Sequence, residues 1–119
     1  MARILLAEDD PSMRGFLARA LIKAGHVVIE APDGDAAMTQ LIESEFDLLL
    51  ADIVMPGING IDLAKRANSG APKLKVMLIT GFAAVALKAR SELDPDTRVL
   101  SKPFHLNTLV DEVSKLLAA

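Results

Sequence analysis

The sequence predicts an α/β domain in which parallel strands are covered on both faces by helices. Short apolar runs alternate five times with helical apolar periods along the 119 residues. Each run is apolar at consecutive positions, as expected of strands buried on both faces. The length suits one domain with a real core, and an apolar share of 51% fits a packed chain rather than a disordered one. Strand–helix alternation at this spacing implies parallel strands joined by right-handed crossovers.

The first run covers residues 4–7. After it, Met13, Phe16, Leu17, Ala20, Leu21 and Ala24 follow the i, i+3, i+4, i+7 spacing of one helix face, and Gly25 stands where a C′ glycine ends a helix. Runs at 27–29, 48–51 and 76–79 lead in turn to helices over 33–44, 61–68 and 83–90. The weakest run, 98–100, precedes a last helix in which Leu106, Leu109, Val110, Val113, Leu116 and Leu117 share a face, with His105 or Asn107 as candidate cap. In the AAVAL start of the fourth helix, Ala83, Ala86 and Leu87 share a core face, which leaves Ala84 and Val85 toward an exposed apolar patch. No repeat, linker or low-complexity segment divides the chain, so residues 1–119 are expected to form a single domain with no output domain.

Composition removes several function classes. A net charge of −3 with no run of Lys or Arg argues against a nucleic-acid footprint, and 3% aromatic residues leave few platforms for base stacking. Zero cysteines rule out thiolate metal sites and a disulfide framework. The start MARILLAEDD is too short and too acidic for a signal peptide, and no segment approaches the ~20 apolar residues of a membrane span. A soluble cytoplasmic protein is the expectation.

In open parallel sheets the site forms beyond the carboxyl ends of the strands. Glu8, Asp9 and Asp10 follow the first run, Asp52 the third, Thr80 the fourth, and Ser101 with Lys102 the fifth, while Glu30 ends the second toward an edge. A single polar residue at a strand end is usually just solvated. Acids converging on one crevice repel one another, which raises at least one pKa unless a cation offsets them. Carboxylate and carbonyl oxygens without His or Cys suit Mg²⁺. A metal, an ammonium, a hydroxyl and a spare carboxylate together suit a phosphoryl group, whose phosphorus the carboxylate can attack. His26 and His105 fall outside the crevice and read as solvated or capping residues.

Glu8-Asp9, the DIVMPGING stretch beginning at Asp52, Thr80-Gly81 and Lys102-Pro103-Phe104 together resemble the receiver domain of bacterial two-component response regulators. The resemblance spans the chain, and it implies a flavodoxin-like (βα)5 three-layer sandwich with parallel strands in order 2-1-3-4-5. It implies that Asp52 is the phosphoacceptor, that Asp9 binds Mg²⁺ directly and Glu8 mostly through water, and that the Val54 backbone carbonyl completes the protein ligands. Thr80 resembles the switch hydroxyl, with the amide of Ala83 or Gly81 assisting. Lys102 resembles the lysine that pairs with the acid and then the phosphate, and the Lys102–Pro103 bond is expected to be cis. Asp10 lies outside this set. The turn from Pro56 to Gly60 lets the chain leave the strand without covering Asp52.

The phosphodonor implied is a sensor histidine kinase or a histidine phosphotransferase. Where many family members carry an aromatic residue three positions before the lysine, this chain has Val99, so the output is expected from repacking of residues 82–87. Apolar Val54 and Phe82 occupy the positions that tune water attack, which predicts slow self-hydrolysis. The fragments GFAAVAL, LSKPFHL and KLLAA look similar to single-domain cell-cycle receivers of alphaproteobacteria, which would make the ClpXP protease the downstream partner. Chemotaxis-type and phosphorelay receivers are the alternative. Leu117-Ala118-Ala119 resembles a ClpX recognition tail, although a helix fraying into alanines is the reading slightly favoured. Two other classes fit less well. A phosphohydrolase with an aspartate nucleophile needs an acid where Val54 stands, and an FMN carrier needs a neutral phosphate loop where EDDPS stands.

Overall fold

A computed structural model describes residues 1–71 and 73–119. Five parallel strands, β1 (Arg3–Ala7), β2 (Val27–Ala31), β3 (Leu48–Asp52), β4 (Lys75–Thr80) and β5 (Arg98–Ser101), form one sheet in the order β2-β1-β3-β4-β5. Five helices alternate with them: α1 (Pro11–Lys23), α2 (Gly34–Glu43), α3 (Gly60–Gly70), α4 (Ala83–Glu92) and α5 (Leu106–Ala118). The expected flavodoxin-like order is the observed one.

Consecutive apolar residues become two cores because successive strand side chains point to opposite faces. Ile4, Leu6, Leu48, Leu50, Met77 and Ile79 face α1 and α5, packing against Leu17, Leu21, Leu109 and Val113. Leu5, Leu49, Ala51, Val76 and Leu78 face α2, α3 and α4, against Ala37, Leu63, Ala64 and Ala89. β3 is buried along its whole length, whereas β2 and β5 at the sheet edges are half-buried.

The strands run further than their apolar runs. Glu30, Asp52, Thr80 and Ser101 lie inside the ladder, where Leu6 pairs with Glu30, Asp52 with Ile79, and Thr80 with Ser101. Main-chain hydrogen bonds extend a strand whatever its side chain, so Asp52, Thr80 and Ser101 stand at the last positions of their strands and Glu30 one residue before the end of β2. The starts of α1, α2 and α3 follow capping chemistry. Asp10 accepts from the Ser12 amide at 2.9 Å, Asp33 from Ala36 at 2.8 Å and Asn59 from Asp62 at 3.0 Å. Gly25 follows α1 with φ 99°, the left-handed conformation expected of it.

Two expectations are corrected. On α1 the buried residues are Leu17, Ala18 and Leu21, while Phe16 is 48% exposed at the rim of a groove shared with Leu106 and Val110 of α5. On α4 the face turned inward carries Ala86 and Ala89, with Val85 half-buried, so Ala83 and Leu87 point to solvent instead. The helix meets the sheet along the i, i+1, i+4 ridge, one position round from the expected face. At α5, His105 takes the N-cap position, one of the two candidates, with its carbonyl accepting from the Leu109 amide at 3.2 Å and its side chain making no capping bond, while Asn107 is inside the helix. No helix among the described residues is long and apolar enough to cross a membrane.

Candidate functional site

The carboxyl ends of β1, β3, β4 and β5 converge, and the polar residues predicted there meet. Glu8 follows β1 and is buried, Asp52 ends β3 at 8% exposure, and Thr80 ends β4 fully buried. Asp9 is exposed. Glu8, Asp9 and Asp52 each offer a carboxylate oxygen, all within 4.8 Å of one another.

The charge balance of this cluster is uneven. Lys102 Nζ lies 2.9 Å from Asp52 Oδ2 and 3.5 Å from Glu8 Oε1, so one ammonium serves two carboxylates. Asp52 Oδ1 accepts from the Val54 amide at 3.1 Å, and Glu8 Oε2 from the Asp10 amide at 3.3 Å. Burial, followed by the Asp52 charge, pushes the Glu8 carboxyl up to about 7. Burial pulls the Lys102 ammonium down, but hydrogen bonding and charge from Asp52, then Glu8, outweigh it and leave Lys102 above its ordinary value. The acids are thus under-neutralised, and three hard oxygen donors so close suit a hard divalent cation.

Local backbone features hold this arrangement. Gly60 begins α3 directly against β3: an added Cβ would come 2.6 Å from the Asp52 carbonyl oxygen and 2.8 Å from Ile53 Cα. The Gly60 amide donates to the Ile53 carbonyl at 2.9 Å and closes the loop between β3 and α3. The Lys102 amide donates to the Thr80 carbonyl at 2.7 Å, tying the lysine's loop to β4, and the Lys102–Pro103 bond is cis as expected. Thr80 Oγ1 accepts from the Phe82 amide at 3.2 Å. Val54 and Phe82 are both exposed, and Phe82 lies beside the exposed Ala83, Ala84 and Leu87.

Elsewhere, Asp10 is occupied in capping α1, and Ser101 is exposed. His26 stands apart from the cluster: its Nδ1 accepts from the Ala2 amide at 3.2 Å, and burial lowers its pKa. The sequence reading missed Arg14, whose Nη1 donates to the Glu8 carbonyl oxygen at 2.8 Å. No sequence signal marks a guanidinium aimed at a main-chain oxygen.

Comparison with known proteins agrees with this geometry. The family model described as response regulator receiver domain matches residues 4–114, and the chain belongs to that family. Over 119 residues it is 56% identical to the response regulator receiver protein CpdR of Brucella abortus, covering all of this chain and 99% of that one. It is 32% identical over 118 residues to the sensor kinase CckA of Brucella abortus, covering 98% of this chain but 12% of that protein. Among solved structures, the response regulator TrrA of Thermotoga maritima, in complex with Mg²⁺ and BeF, superposes with a TM-score of 0.87 at 28% identity, covering 98% of this chain and 99% of that one.

Proposed function

We propose that this chain is a phosphoacceptor switch in which Asp52 receives a phosphoryl group. One Asp52 carboxylate oxygen attacks phosphorus, the phosphorus–nitrogen bond of a phosphohistidine breaks, and the imidazole leaves with the bonding pair. The product is an acyl phosphate on Asp52. The observation that carries this reading is the cluster of Glu8, Asp9 and Asp52 with Lys102 at 2.9 Å from the acceptor. Glu8, Asp9, Asp52 and the Val54 carbonyl would hold Mg²⁺, which when bound neutralises the phosphoryl oxygens. The donor set fits that metal: hard oxygens, no sulfur or imidazole. Lys102 then shifts its pairing from the carboxylate to the phosphoryl group.

The output follows from Thr80. Turning its hydroxyl toward a phosphoryl oxygen moves the oxygen that accepts from the Phe82 amide, so phosphorylation acts on the segment that carries the exposed Phe82, Ala83, Ala84 and Leu87. That apolar patch is the surface we assign to a downstream protein. Similarity to CpdR and the fragments GFAAVAL and LSKPFHL support ClpXP as that partner, with the unphosphorylated form active in substrate delivery. The phosphodonor is a sensor histidine kinase or histidine phosphotransferase in the cytoplasm, and the chain catalyses only its own phosphotransfer and slow dephosphorylation. The test is incubation with a phosphorylated histidine phosphotransferase and Mg²⁺, read by intact mass. Addition of one phosphoryl group to the wild type and none to Asp52→Ala is expected. Equal labelling of both would refute Asp52 as the acceptor.

A further inference from the structure

Glu30 stands at the edge of the sheet with no part in the cluster, yet it connects to it. Its Oε1 lies 3.4 Å from Arg14 Nε, and the same guanidinium donates through Nη1 to the Glu8 carbonyl oxygen at 2.8 Å. The two side chains differ in exposure, 19% for Arg14 against 46% for Glu30, so the inner end is the guanidinium. A surface ion pair by itself contributes little to stability. The pair of contacts is the informative feature: one guanidinium donates to a strand-end carbonyl and lies within ion-pair distance of one carboxylate.

The main chain around Glu8 is otherwise fixed on one side only. Its amide donates to the Ala31 carbonyl of β2 at 3.1 Å, and its carbonyl has Arg14. Arg14 is in turn held by its own amide, which donates to the Asp10 carbonyl at 2.8 Å in the capped first turn of α1. The Glu8 carbonyl and the Asp9 amide belong to one planar peptide unit, so fixing that oxygen fixes the direction in which Asp9 leaves the strand. Asp9 is the exposed acid of the cluster, and the side chain it meets there is that of Glu8, its own neighbour on this peptide unit.

We propose that Arg14, tethered by Glu30, is a positioning residue that sets the Glu8–Asp9 peptide for metal binding. The inference rests on reading Glu8 and Asp9 as ligands of Mg²⁺. A guanidinium near a cation site also repels the cation, so two roles of Arg14 have opposite signs. Removing a merely repulsive charge would tighten Mg²⁺, whereas removing a brace weakens it. Outer partners of metal ligands commonly change affinity by 10–100-fold. Arg14 reaches a ligand's backbone rather than its carboxylate, so a smaller effect, about five- to tenfold, is expected.

The experiment titrates Mg²⁺ into wild type, Arg14→Lys and Arg14→Met, reading Kd from amide NMR shifts, with urea unfolding alongside. Neither substitution removes core volume. Weaker binding in both variants, including the charge-preserving lysine, is the expected result. Tighter binding in Arg14→Met with Arg14→Lys unchanged would assign a purely electrostatic effect and overturn the proposal. Lower stability with Kd unchanged in both would leave a structural role only, and also overturn it. If the wild type shows no Mg²⁺-dependent shift, the reading of the site itself fails. The brace is then judged in metal-free protein, where unmoved Glu8 and Asp9 amides in Arg14→Met overturn it and displaced ones support it.

Discussion

Replacing Glu8 by glutamine should stabilise the metal-free protein while weakening its hold on Mg²⁺. Glu8 is 1% exposed and faces Asp52, and its carboxyl is pushed from 4.5 up to about 7. A raised folded-state pKa means that the folded chain holds the proton more tightly than the unfolded chain between those values. Stability from this group is therefore complete below about pH 4.5 and is lost as the pH rises through about 7. At about 1.4 kcal/mol per unit, ionised Glu8 costs the fold roughly 3 kcal/mol at pH 8. Glutamine removes that cost but can accept with only one oxygen, where Glu8 accepts from both Lys102 and the Asp10 amide. One lost bond is worth about 1 kcal/mol. The variant should thus be more stable by about 2 kcal/mol at pH 8 and no more stable at pH 4.5. Urea unfolding of both proteins in EDTA across this range measures the difference, and titrations common to both cancel. Saturating Mg²⁺ should reverse the order at pH 8, because a ligand at about 100 times its Kd adds about 2.7 kcal/mol to the protein that binds it. A stability difference that does not change with pH would refute the reasoning.

Other consequences follow from the same contacts. Lys102→Met strips the cation from Asp52 and Glu8 and should cost about 1.5–3 kcal/mol at pH 8 by urea unfolding, and less at pH 5 where Glu8 is protonated. Because Lys102 titrates above its ordinary value, it stays charged throughout that range, and the change with pH comes from Glu8. Gly60→Ala should force β3 and α3 apart and lower the urea midpoint, with amide shifts centred on Asp52 and Ile53; unmoved shifts there would contradict the close approach. Leu49→Ala, in the fully buried β3, should cost about 3 kcal/mol without altering Mg²⁺ affinity. Thr80→Ala should leave Asp52 able to accept a phosphoryl group while the amides of residues 82–87 cease to respond to it, and a response equal to wild type would remove Thr80 from the relay.

The centre of the sheet was legible because β1, β3 and β4 are buried on both faces, so composition alone marks them. The strand ends were not, since Glu30, Thr80 and Ser101 join the ladder through main-chain bonds that leave no trace in hydropathy. On α4, four alanines among ten residues make the apolar period too flat to say which face turns inward, and the burial of Ala89 rather than Leu87 depended on tertiary packing. The convergence of Glu8, Asp9, Asp52 and Lys102 could be read from acids and a lysine placed just after apolar runs. The capping role of Asp10 had a signal in the proline that follows it, a residue favoured at the first helical position. Arg14 had none, because its partner is a carbonyl oxygen that every residue carries.

The central claim is that Asp52 is a phosphoacceptor whose occupancy moves a distant surface. Amide NMR of wild type and Asp52→Ala, titrated with beryllofluoride and Mg²⁺, tests it most directly. Shifts at Asp52, Thr80 and Lys102 that extend through residues 82–87, all absent from Asp52→Ala, are the predicted result. A wild type that shows no Mg²⁺-dependent change would contradict the account and leave a binding module with the fold of a switch.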